Sequence, residues 1–293
     1  MDCCNSFLFL NMIVTICVTG AGTMGRGIAL VCAQNGFATF LFDLNNDILE
    51  AARIHIHDQV DLLVKKEKIS ADEAVLIWNR LKFIFNIKDC LADLFIEAIV
   101  EDTAAKIALF NQLAAFNKPG VIFATNTSSL SVSLIQQGIA GGQRIAGMHF
   151  FNPAPVMKLV EVVSGDETSE DTIRELVDLC KKLGKIAVVC KDSPGFIVNR
   201  VARLYYLEAM KLVELGIASI EDIDTVMEVS GFKMGPFRLM DLIGLDINLA
   251  VSKSIYEAFN LEPRFQPPVL QEQKVSRGEL GRKTGYGFYD YLP

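Results

Sequence analysis

The apolar positions of this chain change their period near Pro194. Before it, short β-branched runs alternate with longer segments whose apolar residues recur every three or four positions. Ile13–Thr19 (IVTICVT) ends in glycines and predicts a buried parallel strand. Met24–Asn35 has helical spacing and stops at Gly36, and Ala38–Phe42 predicts the second strand. Helices are expected over Asp47–Lys66 and Ala71–Asn79. Leu81–Phe85, Leu94–Ala98 and Val121–Ala124 predict further strands, with a helix over Thr103–Phe116 between the last two. Extended segments near Arg144–Phe150 and Met157–Val163, a helix over Glu170–Leu183 and a strand at Ile186–Cys190 complete the series. Alternation of this kind specifies a mostly parallel sheet covered on both faces. Beyond Pro194 only helical periodicity remains, in Phe196–Leu215, Ile220–Val229 and Leu239–Phe259. The predicted fold class is α/β: a Rossmann-type domain over 1–193, then a smaller all-α domain over 194–293.

Composition narrows this picture. With 293 residues, 51% of them hydrophobic, the chain can bury the cores of two domains. Its formal charge of −7 argues against a nucleic-acid or anionic-membrane surface, though not against a small anionic ligand met by a few local lysines. Seven cysteines lie in apolar surroundings without a CxxC pair or histidine-rich neighbour, which fits reduced thiols of a cytoplasmic protein and no metal site. The first twelve residues contain FLFL, too short for a signal-peptide core or a membrane span. They read as an upstream extension, with Met12 an alternative start.

The first strand runs into Gly20-Ala21-Gly22-Thr23-Met24-Gly25, a G-x-G-x-x-G set that also opens a helix. The first glycine allows the turn, the second lets backbone approach a pyrophosphate, and the third permits close helix packing. The helix N-terminus then offers free N–H groups to the phosphates. Asp43 closes the second strand, where a carboxylate can accept from both ribose hydroxyls of NAD and would repel the extra phosphate of NADP. Asp43 could alternatively cap the next helix. Strand, glycines, helix and acid in this order point to NAD.

Of three histidines, His55 and His57 sit two apart on a polar helix and read as surface residues. His149 ends an apolar run and opens HFFNPAPVMKLVEV, whose prolines force a bend between two extended segments. That bend can return Glu161 to His149, giving an imidazole oriented by a carboxylate and suited to general acid/base work. This segment closely resembles the signature of L-3-hydroxyacyl-CoA dehydrogenases. So do ATNTSSLS at Ala124–Ser131, KDSPGFIVNR at Lys191–Arg200, MGPFRLMDLIGLD at Met234–Asp246 and GRKTGYGFYDY at Gly281–Tyr291. The wording is most like the bacterial 3-hydroxybutyryl-CoA dehydrogenases.

The resemblance implies that His149 is the general acid/base and Glu161 its orienting carboxylate. Ser128 would contact the reacting oxygen, the nicotinamide end and the acyl-CoA, and Asn199 would bond near the reacting oxygen. Glu101, Lys106, Asn152 and Lys283 match positions lining the cofactor, and Lys66 matches a coenzyme A contact. It also implies a homodimer, or a higher oligomer, built through the helical domain. Leu204, Tyr205, Tyr206, Leu207, Met210 and Leu212 there read as more apolar surface than so small a unit hides. The expected protein is a cytoplasmic NAD-dependent dehydrogenase of short-chain 3-hydroxyacyl-CoA. Two alternatives stay open: a non-catalytic crystallin-like homologue, and an NADP-preferring or longer-chain enzyme.

Overall fold

The computed structural model describes residues 13–292, so the 1–12 extension lies outside the described residues. The chain begins β1 (Thr15–Thr19), α1 (Thr23–Gln34), β2 (Ala38–Phe42), α2 (Asn46–Lys65), α3 (Ala71–Arg80) and β3 (Leu81–Ile84). It continues β4 (Leu94–Glu97), α4 (Thr103–Ala114), β5 (Ile122–Thr125), α5 (Val132–Gln137), β6 (Ile145–Phe150), β7 (Leu159–Ser164), α6 (Glu170–Lys182) and β8 (Ile186–Lys191). The strands form one sheet in the order β3-β2-β1-β4-β5-β6-β7-β8. Every pair is parallel except β6–β7. The mostly parallel Rossmann-type α/β fold expected from the alternation is the one that forms.

The pleat divides the apolar positions between two cores. Ile16, Val18, Leu94, Ile96 and Ile122 face α1, α2 and α6, whose inward residues include Ile28, Ile56 and Leu176. Cys17, Phe95, Phe123 and Ile145 face the other way, onto Phe110 and Leu113 of α4 and Ile135 of α5. The same alternation places Thr19, Glu97, Thr125 and His149 on the α4–α5 face, at or near the carboxyl ends of their strands. Order reverses between β1 and β4, the switch point where open α/β sheets bind ligands. The bounds of the short helix α5 were not read from sequence, since six residues carry too few turns for a clear period.

The described chain divides into two compact units, one up to Asp192 and one from Ser193. The second contains α7 (Val198–Glu214), α8 (Ile220–Val229), α9 (Pro236–Ile243), α10 (Leu245–Ala258) and α11 (Val269–Ser276). The single helix expected over Leu239–Phe259 is in fact two, broken at Gly244, whose φ of 104° lies outside the helical region. Helix α11 was also missed. Of the six α7 residues read as surplus apolar surface, Tyr206, Leu207 and Met210 are core, and Tyr205 and Leu212 pack on it. Only Leu204 is exposed, at 42%. Among the described residues no helix is long and apolar enough to cross a membrane.

Candidate active site

The glycine loop is built by close approach of backbone. Gly20 leaves β1 with φ 93°, and a Cβ there would lie 2.5 Å from the Ala98 carbonyl of the loop after β4. A Cβ on Gly25 would lie 1.7 Å from the Gly20 carbonyl, so α1 can start this close to β1 only with glycine. Around Gly22 nothing stands within 4 Å of an added Cβ, leaving its backbone open to a ligand. Side chains of Asn45, Ser70, Asp102, Ser131 and Ser169 cap α2 to α6, whereas α1 has no side-chain cap. Thr23 is exposed and opens α1, while Met24 packs partly on the core. Open backbone at Gly22 and uncapped amides on α1 fit a dinucleotide pyrophosphate.

Asp43 does not cap α2; Asn45 does. Asp43 instead accepts the Ala21 N–H on Oδ2 at 2.8 Å and the Asn45 N–H on Oδ1 at 2.9 Å. This ties the end of β2 to the glycine loop and leaves lone pairs on both oxygens for ribose hydroxyls.

His149 and Glu161 are directly opposite in the antiparallel β6–β7 pair, so their side chains share one face. Glu161 Oε2 lies 2.7 Å from His149 Nδ1, and both side chains are almost wholly buried. The other ring nitrogen, Nε2, lies 3.1 Å from the Ser128 hydroxyl. Ser128 does not cap α5, a role taken by Ser131. It stands in the loop after β5, which is locked to β6 by the Phe150 N–H donating to Asn126 Oδ1 at 2.8 Å.

Glu101 holds this loop from the β4 side. It accepts the Ser128 N–H at 3.0 Å, the Ser129 hydroxyl at 3.3 Å and the Thr127 hydroxyl. Burial alone would raise its carboxyl, but the Lys106 ammonium and these donors outweigh burial and hold it below the usual carboxylate range. Lys106 is wholly buried, with its ammonium 2.6 Å from Glu97 and 3.2 Å from Glu101. Glu97, Asn126 and Thr127 went unnoticed in the sequence. The available signal was an acid closing the apolar strand LFIE.

The remaining expected residues are spread more widely. Asn152 is exposed in the turn between β6 and β7, and Lys66 is exposed at the C-cap of α2. Asn199 and Lys283 belong to the second unit. Asn199 is half-buried in the first turn of α7. Lys283 donates to both oxygens of Asp246 at 2.5 and 2.6 Å. His57 lies edge-on to Trp78 on the α2–α3 surface. The five described cysteines are free thiols. Among the described residues no His/Cys/Asp/Glu group is arranged to hold a metal.

Two family models match the chain. Residues 15–193 match the 3-hydroxyacyl-CoA dehydrogenase NAD binding domain, and residues 195–291 match the C-terminal domain of the same family. A 3-hydroxyadipyl-CoA dehydrogenase of Escherichia coli is 45% identical over 94% of this chain, which spans only 59% of that relative's length. The mitochondrial hydroxyacyl-coenzyme A dehydrogenase of Rattus norvegicus is 42% identical, covering 96% of this chain and 92% of its own. The crystal structure of (S)-3-hydroxybutyryl-CoA dehydrogenase from Ralstonia eutropha superposes with a TM-score of 0.92 at 37% identity, covering 96% of this chain and all of that one (100%).

Proposed function

The chain belongs to the 3-hydroxyacyl-CoA dehydrogenase family, and on that premise we propose that it interconverts a short 3-hydroxyacyl-CoA with its 3-ketoacyl-CoA. The observation that carries this reading is the continuous Ser128–His149–Glu161 hydrogen-bonded line beside a glycine loop suited to NAD. Glu161 keeps the proton on Nδ1, so Nε2, beside the Ser128 hydroxyl, is the nitrogen that carries the lone pair. His149 Nε2 takes the 3-hydroxyl proton during oxidation and returns it during reduction. The Ser128 hydroxyl, already within reach of Nε2, bonds the reacting oxygen and holds it in line with that nitrogen. NAD, when bound, supplies the hydride acceptor.

Gly20, Gly22, Thr23, Met24 and Gly25 cradle the pyrophosphate, and Asp43 receives the ribose. The family resemblance assigns Glu101, Lys106, Asn152 and Lys283 to the cofactor and Asn199 to a hydrogen bond near the reacting oxygen. Lys66, exposed at the end of α2, and Ser128 contact the acyl-CoA. We read the protein as a cytoplasmic homodimer. The free thiols support the first part. The family resemblance and the outward Val201 and Leu204 of α7 support the second.

The test is oxidation of NADH with acetoacetyl-CoA, compared with a medium-chain 3-ketoacyl-CoA and with NADPH. Activity highest with acetoacetyl-CoA and NADH is expected; preference for the longer substrate or for NADPH overturns the corresponding part. His149→Gln should lower kcat roughly 100- to 10,000-fold. Cofactor affinity, followed by NADH fluorescence, should be retained.

A further inference from the structure

Glu97 is a buried acid at the edge of the first unit's site, and no step of the proposed chemistry uses it. It closes β4, its side chain is wholly buried, and both oxygens are engaged. Oε1 accepts the Ile99 N–H at 2.7 Å and Lys106 Nζ at 2.6 Å, while Oε2 accepts the Thr125 hydroxyl at 2.7 Å. Lys106, also wholly buried, reaches Glu101 Oε2 at 3.2 Å. The other oxygen of Glu101 holds the Thr127 hydroxyl and the Ser128 N–H. Three charges in a row therefore lead from the middle of the sheet to the backbone of the residue whose hydroxyl meets His149.

Desolvating two ions is costly, and well-packed apolar residues would join α4 to β4 at least as well. An apolar pair could not fix the direction of a neighbouring carboxylate. Without Glu97, the Lys106 ammonium would have Glu101 as its remaining acidic partner and would draw that carboxylate inward, off the Ser128 N–H. With Glu97 present the ammonium is held by the deeper acid, and Glu101 keeps one oxygen for the loop.

We propose that Glu97 is a positioning residue, a buried counter-charge that shares Lys106 between two carboxylates and thereby fixes Glu101 and the Ser128 backbone. Its catalytic consequence rests on the dehydrogenase reading above, whereas the network belongs to the cofactor-free chain and is measurable there.

The variant is Glu97→Gln, nearly isosteric and uncharged, with circular dichroism confirming the fold. Contacts of 2.6 and 3.2 Å to one ammonium put the two carboxylates within about 6 Å. Removing that repulsion should lower the Glu101 carboxyl titration, followed by carbon-13 NMR in the cofactor-free protein, by at least about half a unit. With acetoacetyl-CoA and NADH, kcat should fall at least about tenfold while the acetoacetyl-CoA KM stays within about twofold. A folded Glu97→Gln protein with an unmoved titration or wild-type kcat overturns the proposal. If the wild-type protein itself lacks activity, the dehydrogenase reading fails and the titration alone decides this inference. Should Glu97→Gln not fold, Glu97→Asp takes its place, keeping the charge but withdrawing it by one methylene. A displaced Ser128 amide resonance and a lower kcat are then expected, and wild-type values of both overturn the proposal.

Discussion

At His149 the two ring nitrogens have different neighbours: a carboxylate at Nδ1 and a hydroxyl at Nε2. A carboxylate only accepts, so Nδ1 carries the proton and Nε2 is the nitrogen able to exchange one. Glu101 shows the same economy of placement on a partly exposed side chain. Its carboxyl sits below the usual range, burial opposing and Lys106 with the loop donors prevailing. A depressed acid contributes stability that is complete above its unfolded value of ~4.3 and is lost as pH falls through its folded value. The stability difference between wild type and Glu101→Gln, measured by urea unfolding, should therefore be constant near pH ~6 and shrink steadily below about pH 4. A difference that does not change with pH would mean Glu101 contributes by packing alone. The sequence pointed to Glu101 through family likeness but was silent on Glu97. A buried acid and an exposed one are spelled alike, and only the fold shows which lysine each one meets.

Among elements, the β1–α1 turn is the least tolerant. The Gly25 Cα stands so close to the Gly20 carbonyl that no rotamer or small shift could relieve an added methyl. Gly25→Ala should abolish measurable NADH fluorescence binding and lower the melting temperature. Retained binding would show that α1 can retreat from β1. Gly22, with open space around it, should accept alanine with little loss of stability. Strands were easy to read because each was a short apolar run with punctuation at its end. Helices in the second unit were harder. Apolar spacing runs through Gly244 without interruption, yet the positive φ there divides the segment into α9 and α10. Amphipathic spacing reports which face is buried, not whether the axis is continuous. Helix α11 escaped for a related reason: only Gln271 among its residues is fully buried, so no apolar stripe marks it.

For the whole molecule, the net charge of −7 argues against an extended anionic partner surface, and among the described residues no helix is long and apolar enough to cross a membrane. Five of the six α7 residues taken as surplus apolar surface belong to their own unit's core or pack on it. The dimer therefore rests on family likeness and on outward residues such as Val201. Light scattering should give about twice the 32.3 kDa chain mass. A single-chain mass at micromolar concentration would remove that part of the proposal. By itself the sequence determined the alternation of elements, the change to helices near Pro194, the glycine turn and the His149 motif. These are local signals, written in neighbouring residues as period, punctuation and turn chemistry. Tertiary structure decided which distant groups became partners: Glu161 with His149 by β6–β7 register, Ser128 with His149 across two strand ends, and Glu97 with Lys106 beneath both. Register and strand order bring together residues far apart in the chain, and hydrogen bonds and ion pairs act only over a few ångströms.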